Sequence, residues 1–167
     1  DVNDINPFKL SNLDGFVRLI DLDGKPKTAE YVFVETFETL FVTAISNGQI
    51  LNKYNPGLVF RTEEFDENEI VLKNINGEHV KSSQIAVEDV LNIYRDKNGT
   101  VKKAILTVDT YVGVVNSVRR KGDDITLINL EGLDLKPARS LKGNAEYDKI
   151  KPGVRMFAVF NHLGQIA

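Results

Sequence analysis

The fold of this chain is decided by residues 21–45, which read Asp21-Leu22-Asp23-Gly24-Lys25-Pro26-Lys27-Thr28-Ala29-Glu30-Tyr31-Val32-Phe33-Val34-Glu35-Thr36-Phe37-Glu38-Thr39-Leu40-Phe41-Val42-Thr43-Ala44-Ile45. The first residues predict a turn, because aspartate accepts backbone hydrogen bonds and glycine tolerates a positive φ. Residues 31–34 and 39–45 are rich in β-branched and aromatic side chains, which favours strands. The stretch therefore predicts a turn, a strand, a short joint and a second strand.

The same order of turn and strands returns later in the chain. Residues 96–99 form a second Asp/Gly turn, followed by apolar runs at 101–108 and 111–118, and a weaker copy ends the sequence at 160–167. Gly113, inside one of these runs, predicts a bulge or a tight bend. Sustained helical periodicity is lacking, and turn signals separate short apolar runs at regular intervals. The predicted class is all-β, with tandem small barrel or sandwich units.

Internal similarity predicts how the chain is divided. Residues 69–77 align with 124–132, and Gly99 aligns with Gly164. We expect residues 1–36 to be the tail half of a preceding β unit packed on the next, 37–108 to be unit one, and 109–167 to be unit two. The alternative is that short strands with Asn-Gly turns align by chance. A tandem array of this kind is typical of spacers and scaffolds.

The amino-acid composition limits the classes of function that this chain can have. The 167 residues are 42% hydrophobic with a net charge of −3, which predicts a real core and no strong attraction to nucleic acid or to an acidic membrane surface. The absence of cysteine excludes disulfides, thiolate zinc sites and cysteine nucleophiles. We expect no nucleic-acid partner and no membrane partner. The expected core comprises Phe33, Phe41, Ile70, Leu72, Ile93, Ile105, Val114, Ile125, Leu127 and Phe157.

Two segments carry a family resemblance. Residues 18–24 (Arg-Leu-Ile-Asp-Leu-Asp-Gly) with 31–34 (Tyr-Val-Phe-Val), and 94–101 with 111–115, resemble patterns in surface-layer proteins of Clostridia-type bacteria, those that also carry S-layer homology anchoring domains. The resemblance implies an extracellular, cell-surface and non-catalytic structural protein of the bacterial envelope. Its implied partners are other envelope proteins or copies of itself, with cell-wall polymer reached through domains that are not recognisable in this sequence.

A calcium site is the candidate cofactor site. Asp21, Asp23 and Glu30 flank a glycine turn, and calcium is held by several oxygen ligands from one loop. Lys25, Pro26 and Lys27 occupy the middle of that loop, which favours the alternative of an aspartate-stabilised turn without metal. We expect no other cofactor.

No residues in the sequence form a recognisable catalytic set. A Ser-His-Asp spacing is not visible, and His79 and His162 are isolated residues that we expect at the surface. We therefore expect no enzyme. Two alternatives of other classes stay open. One is a cell-surface binding module for polysaccharide or a protein ligand, and the other is an OB-like nucleic-acid binder that uses Arg119, Arg120, Lys121, Lys102, Lys103 and Tyr111.

Overall fold

The computed structural model describes residues 14–24, 31–66, 69–96, 98–142 and 145–167. Strands hold 55% of the described residues and helical turns 9%, which confirms the predicted all-β class. The strands are β1 (Asp14–Ile20), β2 (Tyr31–Ser46), β3 (Gln49–Asn52), β4 (Val59–Arg61), β5 (Val71–Asn74), β6 (Val90–Arg95), β7 (Val101–Thr107), β8 (Thr110–Lys121), β9 (Asp124–Leu130), β10 (Leu133–Leu135) and β11 (Arg155–Val159). The helical segments are α1 (Thr62–Asp66) and 3₁₀ turns at Ser82–Gln84, Arg139–Leu141 and Tyr147–Lys149.

The strands form two sheets. The larger has the order β4-β3-β2-β6-β7-β5, with β1 added on β2, and it curls into a half-barrel. The smaller has the order β10-β9-β8-β11. All pairs are antiparallel except that of β5 with β7, which is parallel. Local hairpins therefore build most of the fold, and β5 is added by a longer connection.

One long strand replaces two predicted ones. The sequence predicted a joint between residues 34 and 39, but β2 runs unbroken from Tyr31 to Ser46, so that prediction is wrong. The joint is absent because Phe37 lies opposite Asp14 on one side and opposite Tyr94 on the other, which holds the backbone extended. β2 crosses the proposed boundary between residues 36 and 37. The division into 1–36, 37–108 and 109–167 stays a prediction.

The two sheets repeat one set of strand connections. β2 pairs with β3 and β3 with β4, while β8 pairs with β9 and β9 with β10. The middle of β2, residues 37–41, also pairs with β6, and the first half of β8 pairs with β11. Each long strand carries a bulge, between Val42 and Ala44 in β2 and between Val115 and Ser117 in β8, and β8 has a further register shift between Arg119 and Arg120. The bulge in β8 is therefore displaced from Gly113, where it was expected.

A single turn geometry recurs at three chain reversals. The side-chain oxygen of Asn74, Asp96 or Asn161 accepts hydrogen bonds from the backbone N–H groups two and four residues later, at 2.8–3.0 Å. The residues that flank the turns pair as Lys73 with His79, Arg95 with Val101 and Phe160 with Ile166. Glycine takes the fourth position with φ between 70° and 83° in all three, where other residues are strained. Gly77, Gly99 and Gly164 occupy that position.

The core consists of one large cluster for each sheet and a small cluster between them. Of the expected core residues, Phe41, Ile70, Leu72, Ile93 and Ile125 are buried, and Ile105 and Leu127 are half-buried. Phe33, Val114 and Phe157 are exposed, so their assignment to the core was wrong. Val114 and Phe157 point to the solvent side of their strands, since the neighbours Val115 and Ala158 fill the core. The cluster between the sheets comprises Phe41, Val90, Val159 and Ala167.

Candidate functional site

The candidate interaction surface is a two-stranded ribbon, formed by residues 14–20 of β1 and 31–37 of β2. Opposite residues of an antiparallel pair share a face. One face carries Val17 opposite Val34 and Leu19 opposite Val32. The other face carries Phe16 opposite Glu35, Arg18 opposite Phe33, and Ile20 opposite Tyr31. Both faces of the ribbon are therefore mainly apolar.

These apolar side chains are exposed. Leu19 is 64% exposed, Phe33 55%, Tyr31 54% and Val17 53%. Strands that are apolar on both faces normally lie between two covering layers, and a ribbon of only two strands is of marginal stability in water. An exposed apolar surface of this kind marks a site of interaction with another molecule. Within the described chain, the ribbon is the part that exposes apolar side chains on both of its faces.

The base of the ribbon is fixed to the body of the molecule. The carboxylate of Asp14 is buried and accepts hydrogen bonds from the backbone N–H groups of Arg139, at 2.9 Å, and of Ser140, at 3.4 Å. Gly15 lies so close to the neighbouring strand that a side-chain carbon there would be 2.3 Å from the carbonyl oxygen of Glu35. Lys103 binds the carboxylate of Glu35 with a separation of 2.5 Å. The ribbon is therefore anchored at one end to the larger sheet and to the 3₁₀ turn Arg139–Leu141.

The predicted calcium turn is described only in part. The Oδ1 atom of Asp21 accepts hydrogen bonds from the N–H groups of Asp23, at 3.1 Å, and of Gly24, at 2.7 Å. This is the arrangement of an aspartate-stabilised turn. Glu30 lies outside the described residues, and within the described ranges no three acidic or histidine side chains are grouped to hold a metal ion. The calcium site stays a prediction.

Calcium binding is tested by a thermal melt. If Asp21, Asp23 and Glu30 hold calcium, millimolar calcium raises the melting temperature, because an ion that binds only the folded chain stabilises it. The Asp23→Asn variant then loses that rise, while Asp134→Asn, a matched change on the other sheet, keeps it. A melting temperature that calcium leaves unchanged in the natural chain contradicts the prediction and leaves Asp21 as a turn residue.

A second candidate lies where the two sheets meet. The Nε2 atom of His162 shares a hydrogen bond of 2.8 Å with the hydroxyl of Tyr94. The imidazole ring packs edge-on against the ring of Phe37, with 4.4 Å between the two ring centres. The Nδ1 atom is buried and has no hydrogen-bond partner. The ammonium group of Lys103 lies 3.8 Å from the centre of the Tyr94 ring. His162 is therefore part of a packed junction, and the expectation that it lies at the surface was wrong, whereas His79 is exposed as expected.

Burial and charge set the protonation of this junction. Burial lowers the pKa of His162, and the positive charge of Lys103 lowers it further, while Glu35 acts in the opposite sense. Burial also raises the pKa of Tyr94, and the negative charge of Glu35 adds to the effect. Both rings are thus held neutral near pH 7. The hydrogen bond between Tyr94 and His162 connects the turn at residues 161–165 to the larger sheet. Its role is structural.

The basic residues of the nucleic-acid alternative are distributed over two sheets. Lys103 lies on β7 and is paired with Glu35. Arg120 lies on β8 and donates to the carbonyl oxygens of Asp123 and Ile150, at 3.1 and 3.5 Å. Tyr111 donates to Glu131 at 3.4 Å. Each of these side chains has a protein partner, which reduces its availability for phosphate.

A cleft runs along the seam between the sheets. It has a volume of about 340 Å³, and its walls carry Tyr54 and Lys53 from one side and Phe157 from the other. The ammonium group of Lys53 lies 5.2 Å from the centres of the Phe41 and Tyr54 rings. The alternative binding module would require a ligand cleft, and this one carries aromatic and basic side chains.

Comparisons with protein-family models, with curated proteins and with solved structures find no match to this chain. Among the described residues, none of the helices combines the length and the apolar character needed to cross a membrane. Function therefore has to be inferred from the residues of the chain itself, and the resemblance to surface-layer proteins remains an expectation.

Proposed function

We propose that this chain is a non-catalytic structural module of a secreted bacterial cell-envelope protein, similar to those of surface layers. Its role is to join neighbouring protein units through the ribbon. The observation that carries the proposal is the exposure of Val17, Leu19, Tyr31 and Phe33 on the two faces of the ribbon. Burying such side chains contributes about 25 cal/mol for each Å² of apolar surface, which favours protein contacts at this end of the molecule.

The repeated strand connections support a scaffold role. The bulged strands β2 and β8 each lead into an antiparallel meander and each pair with a later strand, β6 or β11. Such repetition is a means of building length and surface from one structural plan. We infer that the chain is a tandem of two such units, preceded by the hairpin that forms the ribbon. The proposal places the chain in an extracellular, cell-surface location.

Assembly is the property that tests this function. We expect static light scattering to show association of the full chain as its concentration rises from micromolar to millimolar. The Phe33→Lys variant is expected to weaken association by about tenfold or more, since an exposed lysine on the ribbon adds charge to the surface that must be buried. Phe157→Lys is the matched control, because Phe157 is similarly exposed but lies on β11.

The outcome is read from the two variants together. Association that both substitutions weaken equally, or a chain that stays monomeric at every concentration, contradicts an assembly role for the ribbon. Circular dichroism of each variant confirms that the sheets are intact. The ribbon projects from the core, so Phe33→Lys is expected to leave the melting temperature within a few degrees of that of the natural chain.

A further inference from the structure

We propose that the outer edge of β1 is a self-association site at which a second copy of this chain adds its own β1 as an antiparallel strand. The inference rests on the proposed function and names the partner of the ribbon. In the described part of the chain, β1 pairs with β2 on one edge, and no strand covers its other edge. An edge of this kind exposes a row of backbone N–H and C=O groups that another strand can satisfy.

The other terminal strands of the two sheets are shorter than β1. β4 and β10 each have three residues and β5 has four. β11 has five, and beside its end Ala167 donates its N–H to the carbonyl oxygen of Val159. β1 has seven residues. Short edge strands are one way in which proteins avoid unwanted pairing. Among the described terminal strands, β1 is therefore the longest, and it is also the one that a second copy can donate.

The chain itself shows how such a hairpin is completed. β6 and β11 each precede a turn that begins with Asp96 or Asn161, and each has its outer edge covered by an antiparallel strand, β2 or β8. β1 precedes the turn that begins with Asp21, whose side chain also accepts backbone hydrogen bonds. Within the described residues, its outer edge lacks the corresponding strand. A third antiparallel strand is thus the addition that fits this type of hairpin.

The side chains of β1 permit self-pairing. The charged residues of the strand are Asp14, which is buried and bonded to Arg139 and Ser140, and Arg18. Pairing centred on Val17 places Arg18 of each copy opposite Phe16 of the other, where a cation and a ring attract. Pairing centred on Arg18 would set two guanidinium groups face to face and is disfavoured. β1 contains no lysine or proline, the residues that usually protect an exposed edge.

Cysteine cross-linking tests this contact, since the natural chain has no cysteine. In pairing centred on Val17, the two copies of that residue lie directly opposite, about 4.5–5.5 Å apart at Cα, which is within disulfide range. We expect Val17→Cys to form a disulfide-linked dimer under mild oxidation at least about tenfold faster than Val59→Cys. Val59 is the matched control, because it is an exposed valine on the short edge strand β4. Equal rates for the two variants would overturn the proposal.

A charge variant gives a second readout that does not depend on oxidation. Val17→Lys is expected to raise the dissociation constant of the dimer by about tenfold or more in sedimentation equilibrium, and Val59→Lys is expected to leave it unchanged. Unchanged association of Val17→Lys overturns the proposal even if the chain assembles.

Larger assemblies without a Val17 cross-link support the proposed function and overturn this contact. A Val17 cross-link with no larger assembly than the dimer supports this contact and overturns the wider scaffold role.

Discussion

Replacing Ile93 with alanine is expected to lower the free energy of unfolding by about 2–5 kcal/mol. The side chain of Ile93 is fully buried in the cluster of the larger sheet, and its strand pairs with β2 and β7 on both sides. The surrounding backbone is hydrogen-bonded on both edges and has little freedom to close the cavity. Urea denaturation followed by circular dichroism measures the loss.

The control for this prediction is Ile75→Ala. Ile75 is 56% exposed and follows β5, so the same chemical change there is expected to cost no more than about 0.5 kcal/mol. A loss at Ile93 no larger than that at Ile75 would contradict the observed packing. The corresponding side-chain substitution in the smaller sheet is Ile128→Ala, since Ile128 is also fully buried.

Comparing the two core variants tests how far the sheets unfold together. Phe41 and Val90 of the larger sheet pack against Val159 and Ala167 in one buried cluster. We therefore expect Ile93→Ala and Ile128→Ala to shift the same single transition. Two transitions, each moved by one variant only, would show that the predicted units 37–108 and 109–167 fold independently.

The second large expected effect is a loss of folding stability at acidic pH, caused by His162 at the junction of the two sheets. Its pKa is lowered in the folded chain, so the neutral imidazole is favoured there relative to the unfolded chain. The resulting stabilisation is fully present above the unfolded pKa of about 6.5 and is lost as the pH falls towards the folded pKa. Protonation would place a cation beside Lys103, and the charged ring would carry an N–H on both nitrogens although the buried Nδ1 has no acceptor.

Substitutions isolate that effect. We expect His162→Gln to remove the loss of stability below about pH 6.5, and His79→Gln to retain it, because His79 is exposed. Tyr94→Phe leaves Nε2 buried without its partner, which costs about 1–3 kcal/mol near neutral pH. The raised pKa of Asp89, caused by burial, acts in the opposite sense, since its protonated form is favoured in the folded chain. An identical pH profile for both histidine variants would contradict the role of the junction.

Local chemistry in the sequence was sufficient to predict the turns. Asn47 and Gly48 both have positive φ in the hairpin that joins β2 to β3, as the Asn-Gly pair between apolar runs predicts. The recurring Asp/Asn and Gly turns were visible for the same reason, because the side chain that stabilises each turn lies within it. The all-β class follows from these turns and the short apolar runs between them.

Contacts between distant residues could not be predicted. Tyr94 and His162 are 68 residues apart, and neither sequence neighbourhood indicates that the two rings meet. The ribbon was missed for another reason. Its residues have the composition of buried strands, so Phe33 was assigned to the core although no other layer of the described chain covers it. Burial depends on what packs against a strand, which a local pattern does not contain.

The unbroken course of β2 has a mechanical consequence. A strand of 16 residues is about 50 Å long, and this one passes from the ribbon into the half-barrel without a loop or a hinge. A load applied at the ribbon is therefore carried along the backbone into hydrogen bonds with β6 and β3, which resist it in shear. A partner that covers the ribbon, and so stabilises its two strands, would be held at a nearly fixed angle to the body of the molecule. Such stiffness would serve the assembly role proposed for the ribbon, by maintaining the spacing between joined units under tension.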